Sequence, residues 1–355
     1  MKVFHCESCG NLLFFENSTC VTCGHTVAFL PDTREVRSLE PKADGVWASV
    51  TAGDPGRYRL CRNYVETKVC NWAVLADEGQ EYCSSCRLTD VIPDISQPDA
   101  HEGWYRLEVA KRRLVYTLQS LKLPIANRSD DPKDGLSFEF KADPPPGDPS
   151  PPVLTGHNEG VITINIAEAD DAERERRKKA MNEPYRTLLG HMRHEIGHYY
   201  WNRLIRDTGE LEGFRAIFGD ERRDYGEALR QHYATGALAD WPSRFVSAYA
   251  SAHPWEDWAE TWAHYLHMFD TLETASACGV SLRPKRRDEP SLSKVADTSR
   301  TIAFDRLLDS WYPLTYMLNN LNRGLGLPDA YPFVLSTPAL DKLHFVHDVV
   351  DRYTP

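Results

Sequence analysis

Two histidines and a glutamate form the pattern H-E-x-x-H, which comprises His194, Glu195 and His198. Because an α-helix turns once in about 3.6 residues, side chains four positions apart share one face, and both imidazoles could bind a single zinc ion. Glu195 would then lie set back from the metal, where it could polarise a zinc-bound water. The alternative is a helix with surface histidines, because so short a pattern also arises by chance. Five nearby apolar residues favour a helix that runs through the interior: Leu188, Leu189, Met192, Ile196 and Tyr199.

A third metal ligand must come from outside this pattern, because a catalytic zinc site has three protein ligands and an open fourth position. The longer pattern H-E-x-x-H-x-x-G-x-x-H fails here, since Trp201 and Leu204 occupy the positions of the glycine and the third histidine. A later segment offers candidates, and Pro254 suits the first turn of a helix there. Glu256 and Glu260, four apart, would share one face of that helix. One carboxylate can bind the metal, while the other can hydrogen-bond a metal ligand and so fix its orientation.

Four further histidines lie in or near these two segments. His191 precedes the pattern by three residues and would bind metal only if the helix had a different position relative to the metal. His264, two turns after Glu256, is the best candidate for a residue that supports a ligand. His253 and His267 are interpreted as interface or hydrogen-bonded histidines.

Eight of the nine cysteines lie before residue 87 and form two groups of four. The first group contains Cys6, Cys9, Cys20 and Cys23, and the second contains Cys61, Cys70, Cys83 and Cys86. A C-x-x-C turn places two thiolates on one side of a tight knuckle, and two knuckles complete a tetrahedral zinc site. The second group departs from this spacing at its first two members. Disulfides are the alternative, which the lack of an export signal disfavours.

The two cysteine groups are predicted to be structural zinc sites, because four thiolates saturate the metal and leave no position for a substrate. Metal binding would let these short segments fold without a large core. Protein contacts are favoured over nucleic acid as a further role, since basic residues are sparse there. The ninth cysteine, Cys278, is predicted to be a small buried apolar residue.

The overall charge limits the classes of partner. Lys and Arg total 41 and Asp and Glu total 52, which gives a net charge of −11. Such a balance argues against a general binder of phosphate backbones, because nonspecific affinity for nucleic acid comes mostly from basic charge. No apolar run approaches the roughly 18–20 residues that span a bilayer, and the first residues lack the apolar region of a secretion signal. We therefore expect a cytoplasmic protein that contacts a peptide or protein, and neither nucleic acid nor a membrane.

The remaining pattern predicts an α+β chain. Two small zinc-ribbon modules are expected at 1–35 and 55–95, followed by a helix-rich domain at 100–355. Helices are predicted at 101–121, 185–207, 224–233 and 254–272, and β-strands at 136–140, 153–155 and 161–166.

Gly197 lies within the second of these helices, where a glycine destabilises the helix by about 1 kcal/mol relative to alanine. Close packing against the other metal-site helix would explain that glycine.

Two resemblances follow from these residues. Tyr249, Glu256 and Glu260 match, in type and spacing, the tyrosine and the two glutamates of the anthrax lethal factor group of gluzincin peptidases. The whole chain resembles a bacterial family of zinc-binding metallopeptidases with an N-terminal zinc-ribbon region. The matching stretches are CNW at 70–72, AKRRL at 110–114, LGHMRHEIGHYYW at 189–201, HPWEDWAE at 253–260 and YPFV at 331–334. The family resemblance covers nearly all of the sequence, whereas the lethal factor likeness covers only the two motif helices.

The resemblance implies a zincin-like peptidase domain with a particular division of roles. Glu256 would be the third zinc ligand, Glu260 would support the site, and Tyr249 would donate a hydrogen bond to the developing oxyanion. Glu260 as the ligand, and Tyr233 in place of Tyr249, are the alternatives.

The expected activity is hydrolysis of a peptide or isopeptide bond, with one catalytic and two structural zinc ions. Glu195 would accept a proton from the zinc-bound water and deliver it to the leaving amine. The strand at 161–166 is expected to offer a free edge on which an extended substrate pairs. Two other classes stay open: a non-enzymatic protein whose ribbons bind a partner, and a zinc hydrolase that acts on a non-peptide amide.

Overall fold

The computed structural model describes residues 2–51, 53, 56–145, 147–181, 187–298 and 302–353. The chain divides into two compact units. The first comprises residues 1–116 and 125–171, and the second comprises residues 117–124 and 172–355. The division into two ribbon modules and a domain that begins at residue 100 stays a prediction.

A hairpin and a five-stranded antiparallel sheet hold the cysteine-rich part of the first unit. The hairpin pairs β1 (Phe4–His5) with β2 (Leu12–Leu13). The sheet contains, in spatial as in chain order, β3 (Thr26–Leu30), β4 (Glu35–Pro41), β5 (Trp47–Ser49), β6 (Arg57–Leu60) and β7 (Ala73–Leu75). A short helix, α1 (Arg62–Val65), follows β6. The first cysteine group lies in the turns around the hairpin and before β3, and the second group begins between β6 and β7.

A second sheet of four strands also belongs to the first unit. It contains β8 (Thr89–Val91), β9 (Ser137–Lys141), β10 (Gly156–Asn158) and β11 (Val161–Asn165), in the spatial order β10-β11-β9-β8. The long helix α2 (Ala100–Ser120) lies between β8 and β9 in the sequence. Alternation in β9 places Phe138 and Phe140 in the core, where both are fully buried. Glu159 and Gly160 join β10 to β11 with φ values of 42° and 85°, the left-handed conformations of a tight two-residue turn.

Two predictions about this sheet are wrong. Residues 153–155 lie outside any strand, because their polar groups bond to side chains instead of to a neighbouring strand: Asn165 Nδ2 donates to the Val153 carbonyl, and the Thr155 hydroxyl donates to Glu168. The strand β11 has a partner on each side, β10 antiparallel and β9 parallel. It therefore has no free edge on which a substrate could pair.

The described part of the second unit is helical. Its elements are α3 (Asp171–Met181, whose first residue belongs to the first unit), α4 (Leu188–Leu204), α5 (Leu211–Phe218), α6 (Tyr225–Thr235), α7 (Pro254–Ala277), α8 (Phe304–Gly324) and α9 (Thr337–Tyr353). The predicted start of the motif helix, Tyr185, lies outside the described residues. In those parts of the chain that are described, we find no helix with the length and apolar character that crossing a membrane requires. The α+β class, with a cysteine-rich zinc-ribbon region followed by a helix-rich part, is confirmed.

Helices α4 and α7 pack closely, and Gly197 is the reason that they can. A Cβ atom at Gly197 would lie 3.0 Å from Ala259 Cα and 3.2 Å from Trp262 Cβ, so a larger residue would push the helices apart. Trp258 Nε1 donates a hydrogen bond of 2.8 Å to the Gly197 carbonyl. Trp258 and Trp262 are fully buried. The two motif helices are thus held together at the level of the histidine pair.

The prediction for Cys278 is wrong, because this residue is exposed. It follows the last residue of α7, Ala277, and caps the end of the helix. The chain then turns through Gly279, whose φ is 68°. A lone thiol tends to be buried, but Cys278 lies at an exposed end of α7 and is therefore exposed.

Candidate active site

Helix α4 presents both histidines of the H-E-x-x-H pattern on one face. Thr187 caps the start of the helix, and its hydroxyl accepts a hydrogen bond of 2.9 Å from the Gly190 amide. The rings of His194 and His198 lie 5.0 Å apart between centroids, as residues four apart on a helix should. His194 is buried and His198 is partly buried, so both are held within the unit.

The first turn of α7 brings in a carboxylate from a distant part of the sequence. His253 caps this helix by accepting a backbone hydrogen bond of 3.1 Å, and Pro254 occupies the first turn, as predicted. Glu256 follows and is only 1% exposed. Its Oε2 lies 3.0 Å from His194 Nε2, and its Oε1 lies 3.7 Å from His198 Nε2.

These three side chains fit one zinc ion. The donor atoms of His194, His198 and Glu256 all lie within 4.8 Å of one another. Glu256 Oε2 is buried and has no assigned hydrogen-bond donor within the described part of the chain, although His194 Nε2 lies 3.0 Å away. A buried carboxylate oxygen without a donor is costly, and a cation at this point would satisfy it. Two imidazole nitrogens and one carboxylate oxygen are a common ligand set of catalytic zinc.

Glu260 lies behind His194 and is not among the three converging donors. Its Oε1 is 2.7 Å from His194 Nδ1, and its Oε2 accepts a hydrogen bond of 2.5 Å from the Ser247 hydroxyl. The Ser247 hydroxyl also accepts a hydrogen bond of 3.2 Å from the Ala250 amide. This chain of contacts engages Nδ1 and thereby orients the ring so that Nε2 faces Glu256.

His191 contacts the glutamate of the pattern, which sequence reasoning missed. Its Nε2 lies 3.1 Å from Glu195 Oε1, and Glu195 is only 5% exposed. Burial would raise the pKa of Glu195, but the imidazoles of His191, His194 and His198 together outweigh burial and lower it, with His191 contributing most. The spacing of four residues on one helix was the signal that could have revealed this contact.

Three tyrosines lie around these ligands. The Tyr249 ring is 5.9 Å from the His194 ring. The rival candidate, Tyr233, is 61% exposed, and its side chain lies near that of Tyr249. Tyr225, in the first turn of α6, was not predicted, yet its hydroxyl donates a hydrogen bond of 2.7 Å to Glu256 Oε1. No sequence motif marks that contact, which joins side chains 31 positions apart.

The two histidines within α7, His264 and His267, both contact Tyr331. His264 Nδ1 lies 2.7 Å from the Tyr331 hydroxyl, and burial lowers the pKa of His264 to about 4. The ring of His267 stacks on that of Tyr331 at 5.6 Å between centroids. Support of a zinc ligand by His264 therefore stays a prediction.

The ligand side chains shift one another's pKa. Burial would raise the pKa of Glu256, but the two imidazoles of His198 and His194 hold it well below its usual range. Burial would lower the pKa of His194, but the carboxylates of Glu256 and Glu260 raise it well above its usual range. A metal ion and a proton compete for the same imidazole nitrogen, so metal binding at this site releases protons.

Each group of four cysteines converges on one point within the first unit. Sulfur–sulfur distances are 3.5 Å for Cys6 and Cys23, 3.6 Å for Cys9 and Cys20, and 3.7 Å for Cys70 and Cys83. Tetrahedral zinc with Zn–S bonds of about 2.3 Å places its sulfur atoms about 3.8 Å apart. All nine cysteines, each of which is described, are free thiols, so the disulfide alternative is not what the structure contains. Both groups fit zinc.

Arg112 provides a second test of the second cysteine group. The guanidinium is 1% exposed, and it donates a hydrogen bond to the carbonyl of Val69, the residue before Cys70. It forms no ion pair with any carboxylate of the described residues; the buried Glu108 nearby pairs with Lys111 at 2.9 Å. Burial would lower the pKa of Arg112, but the negative charges of Cys70, Glu108, Cys86 and Cys83 together outweigh burial and raise it. Four thiolates around Zn²⁺ would carry a net charge of −2, half of which this buried cation would offset.

We therefore expect Arg112→Met to weaken zinc binding at the second cysteine group by about 10–100-fold, the usual cost of losing an outer partner of a metal site. Competition with a chromogenic chelator would measure the affinity. The matched control is Arg113→Met, because this neighbour is 38% exposed in its side chain and pairs with Glu16 at 2.6 Å. Equal zinc affinity in the two variants would contradict the assigned charge compensation.

Comparisons with known proteins agree with these sites. The profile of the family described as "Putative zinc-binding metallo-peptidase" matches residues 100–349, and that of a zinc-ribbon domain matches residues 3–97. Uncharacterized proteins of Mycobacterium tuberculosis and Mycobacterium bovis are each 43% identical over 356 residues, covering 100% of this chain and 97% of the relative. No solved structure matches the chain at a significant level. The metallopeptidase profile covers well over half of the sequence, and the chain therefore belongs to this family of zinc-binding metallopeptidases, with a zinc-ribbon domain preceding the metallopeptidase region.

Proposed function

We propose that the protein hydrolyses a peptide or isopeptide bond by a gluzincin mechanism. One observation carries the proposal: the donor atoms of His194, His198 and Glu256 converge within 4.8 Å, and the buried Glu195 lies on the same helix as both histidines. The two imidazoles and Glu256 would hold one catalytic zinc ion. When bound there, zinc supplies Lewis acidity to the scissile carbonyl and to the attacking water.

Proton transfer is assigned to Glu195. Its carboxylate accepts a proton from the attacking water as the oxygen bonds to the carbonyl carbon, and delivers that proton to the amine nitrogen as the C–N bond breaks. The lowered pKa of Glu195 supports this role, because the side chain must begin as a carboxylate. His191 holds Glu195 Oε1 at 3.1 Å and so orients the other oxygen for the reaction.

The remaining side chains support the reacting groups. Tyr249, whose ring lies 5.9 Å from that of His194, would donate a hydrogen bond to the developing oxyanion. Glu260 fixes the His194 ring through its contact of 2.7 Å with Nδ1, which leaves Nε2 for the metal. The two cysteine groups would hold structural zinc, and the ribbon region would serve protein contacts.

Metal removal tests this function directly. We expect the zinc-loaded protein to produce new amino termini in a proteome-derived peptide library, because hydrolysis of each peptide bond releases one. Treatment with dipicolinate should abolish this cleavage, since a His and Glu site with an open position loses zinc more readily than a saturated cysteine site. One added equivalent of zinc should restore it.

Mass spectrometry would count the new termini, and metal analysis would report the zinc that dipicolinate removes. Cleavage that persists after the metal is gone would contradict the proposal. A fully loaded protein that cleaves no peptide, yet hydrolyses small non-peptide amides, would favour the amidohydrolase alternative. A loaded protein without either activity would favour a binding role.

A further inference from the structure

The two oxygens of the Glu256 carboxylate have different surroundings. Oε1 accepts the hydrogen bond of 2.7 Å from the Tyr225 hydroxyl. Oε2 accepts no hydrogen bond within the described part of the chain and lies 3.0 Å from His194 Nε2. Oε1 is therefore engaged by a tyrosine and lies 3.7 Å from His198 Nε2, whereas Oε2 has no donor and lies closer to an imidazole nitrogen, that of His194.

The start of α6 is built to keep Tyr225 in this position. Asp224 caps the helix, and its side chain accepts a hydrogen bond of 2.7 Å from the Glu227 amide. The Tyr225 ring meets the His253 ring edge-on, at 5.2 Å between centroids and 90° between planes. His253 in turn caps α7 and places its Nε2 3.2 Å from the Arg223 carbonyl. The first turn of α6 is thus fastened to the first turn of α7, on which Glu256 lies.

We propose that Tyr225 is a positioning residue that makes Glu256 a ligand through one oxygen only. By occupying Oε1, its hydroxyl stops the carboxylate from rotating and from binding through both oxygens, and it reserves Oε2 for the metal. A carboxylate that binds through one oxygen leaves the fourth position of a tetrahedral site open. This inference rests on the proposed function, since it concerns the same zinc ion.

Direct action on the substrate is the competing role for Tyr225. A phenol that stabilises an oxyanion must be free to donate to it, whereas the Tyr225 proton is already donated to Glu256. Between these two described residues, Tyr249 makes no such contact with Glu256, and its ring lies 5.9 Å from that of His194. The geometry therefore separates the two tyrosines into a positioning residue and a donor.

The test compares Tyr225→Phe with the wild-type chain. Phenylalanine keeps the ring and its contacts with His253, so only the hydroxyl is lost. Tyr316→Phe is the matched control, because Tyr316 is 40% exposed and its hydroxyl makes no hydrogen bond in the described part of the chain. After dipicolinate has emptied the labile site, zinc is titrated back against a chelator of known affinity. We expect about a 10–100-fold loss of zinc affinity in Tyr225→Phe and no loss in the control.

Cobalt gives a readout that a loss of folding would not mimic. Loaded into the emptied site alone, Co²⁺ shows intense visible bands when four-coordinate and weaker bands when five-coordinate. Tyr225→Phe should shift the spectrum toward the five-coordinate form, while the melting temperature of the protein with only its cysteine sites loaded stays unchanged.

The possible failures are distinguishable. If the wild-type chain itself takes up no zinc beyond its cysteine sites, the proposed function fails, and the inference fails with it. If the wild-type chain binds this zinc and Tyr225→Phe matches it in affinity and cobalt spectrum, the inference alone is overturned. A loss of kcat in Tyr225→Phe without any change in zinc affinity or spectrum would assign the hydroxyl to the oxyanion and also overturn it.

Discussion

Glu195→Gln is expected to lower peptide-bond hydrolysis by about 10²–10⁴-fold, the contribution that a positioned general acid–base residue makes. The amide has nearly the same size as the carboxylate but cannot accept the proton of the attacking water. Zinc content should stay unchanged, because Glu195 is not among the three converging donors. Initial rates on any peptide that the wild-type chain cleaves, together with metal analysis, would measure both properties.

The matched control for this variant is Glu212→Gln. The Glu212 side chain is 83% exposed and forms an ion pair with Arg215, and such surface pairs contribute little to stability. Near wild-type cleavage by Glu195→Gln would remove Glu195 from the mechanism. The inactive variant also serves as a trap: whole-cell lysate treated with it and with the wild-type chain in parallel would reveal which new amino termini depend on this carboxylate, and so which substrate class the enzyme cuts.

The second large effect is expected for the two glutamates of α7, which should differ from each other. Glu256→Gln should lose the catalytic zinc, because a neutral amide is a poor substitute for the buried carboxylate whose oxygens lie 3.0 Å from His194 Nε2 and 3.7 Å from His198 Nε2. Glu260→Gln should retain it with about 10–100-fold weaker affinity, because this residue acts on His194 through Nδ1. Cleavage should be lost in the first variant and should return at high zinc concentration in the second.

Zinc titration against a competing chelator would measure both affinities, and the cysteine sites, which neither variant touches, provide the internal reference. Glu260→Gln without zinc and Glu256→Gln with normal zinc would be the reverse of this expectation. That result would assign the third ligand to Glu260, the alternative that the sequence leaves open. Equal zinc binding in both variants and the wild-type chain would remove α7 from the metal site altogether.

Local spacing made much of this molecule predictable. The four-residue interval between His194 and His198 needs only a helix to bring the imidazoles together. Pro254 at a helix start, alternating phenylalanines in β9 and two sets of four cysteines are likewise short-range patterns, and the structure contains each of them. In such cases the backbone geometry of a single element, or of a few linked turns, is sufficient.

Contacts between distant segments were the ones missed. Tyr225 reaches Glu256 across 31 residues, and Arg112 reaches the Val69 carbonyl across 43 residues. Neither Tyr225 nor Arg112 belongs to a sequence motif, and the residues next to each in the sequence do not indicate which distant group it contacts. The interior position of β11 was missed for a related reason: its residues show that it is a strand but not how many neighbours it has. Cys278 is exposed because of where α7 ends, and composition alone does not set that position.

The sequence by itself determined the donors: an imidazole pair, a helix with two glutamates, and two groups of four thiols. Only the tertiary structure decided which glutamate meets the imidazole nitrogens. Helical periodicity places Glu256 and Glu260 on the same face of α7, so one helix alone cannot distinguish them. The close approach of α7 to α4 at Gly197 fixes which turns of the two helices lie opposite each other. In this alignment Glu256 faces Nε2 of His194 and Glu260 faces Nδ1.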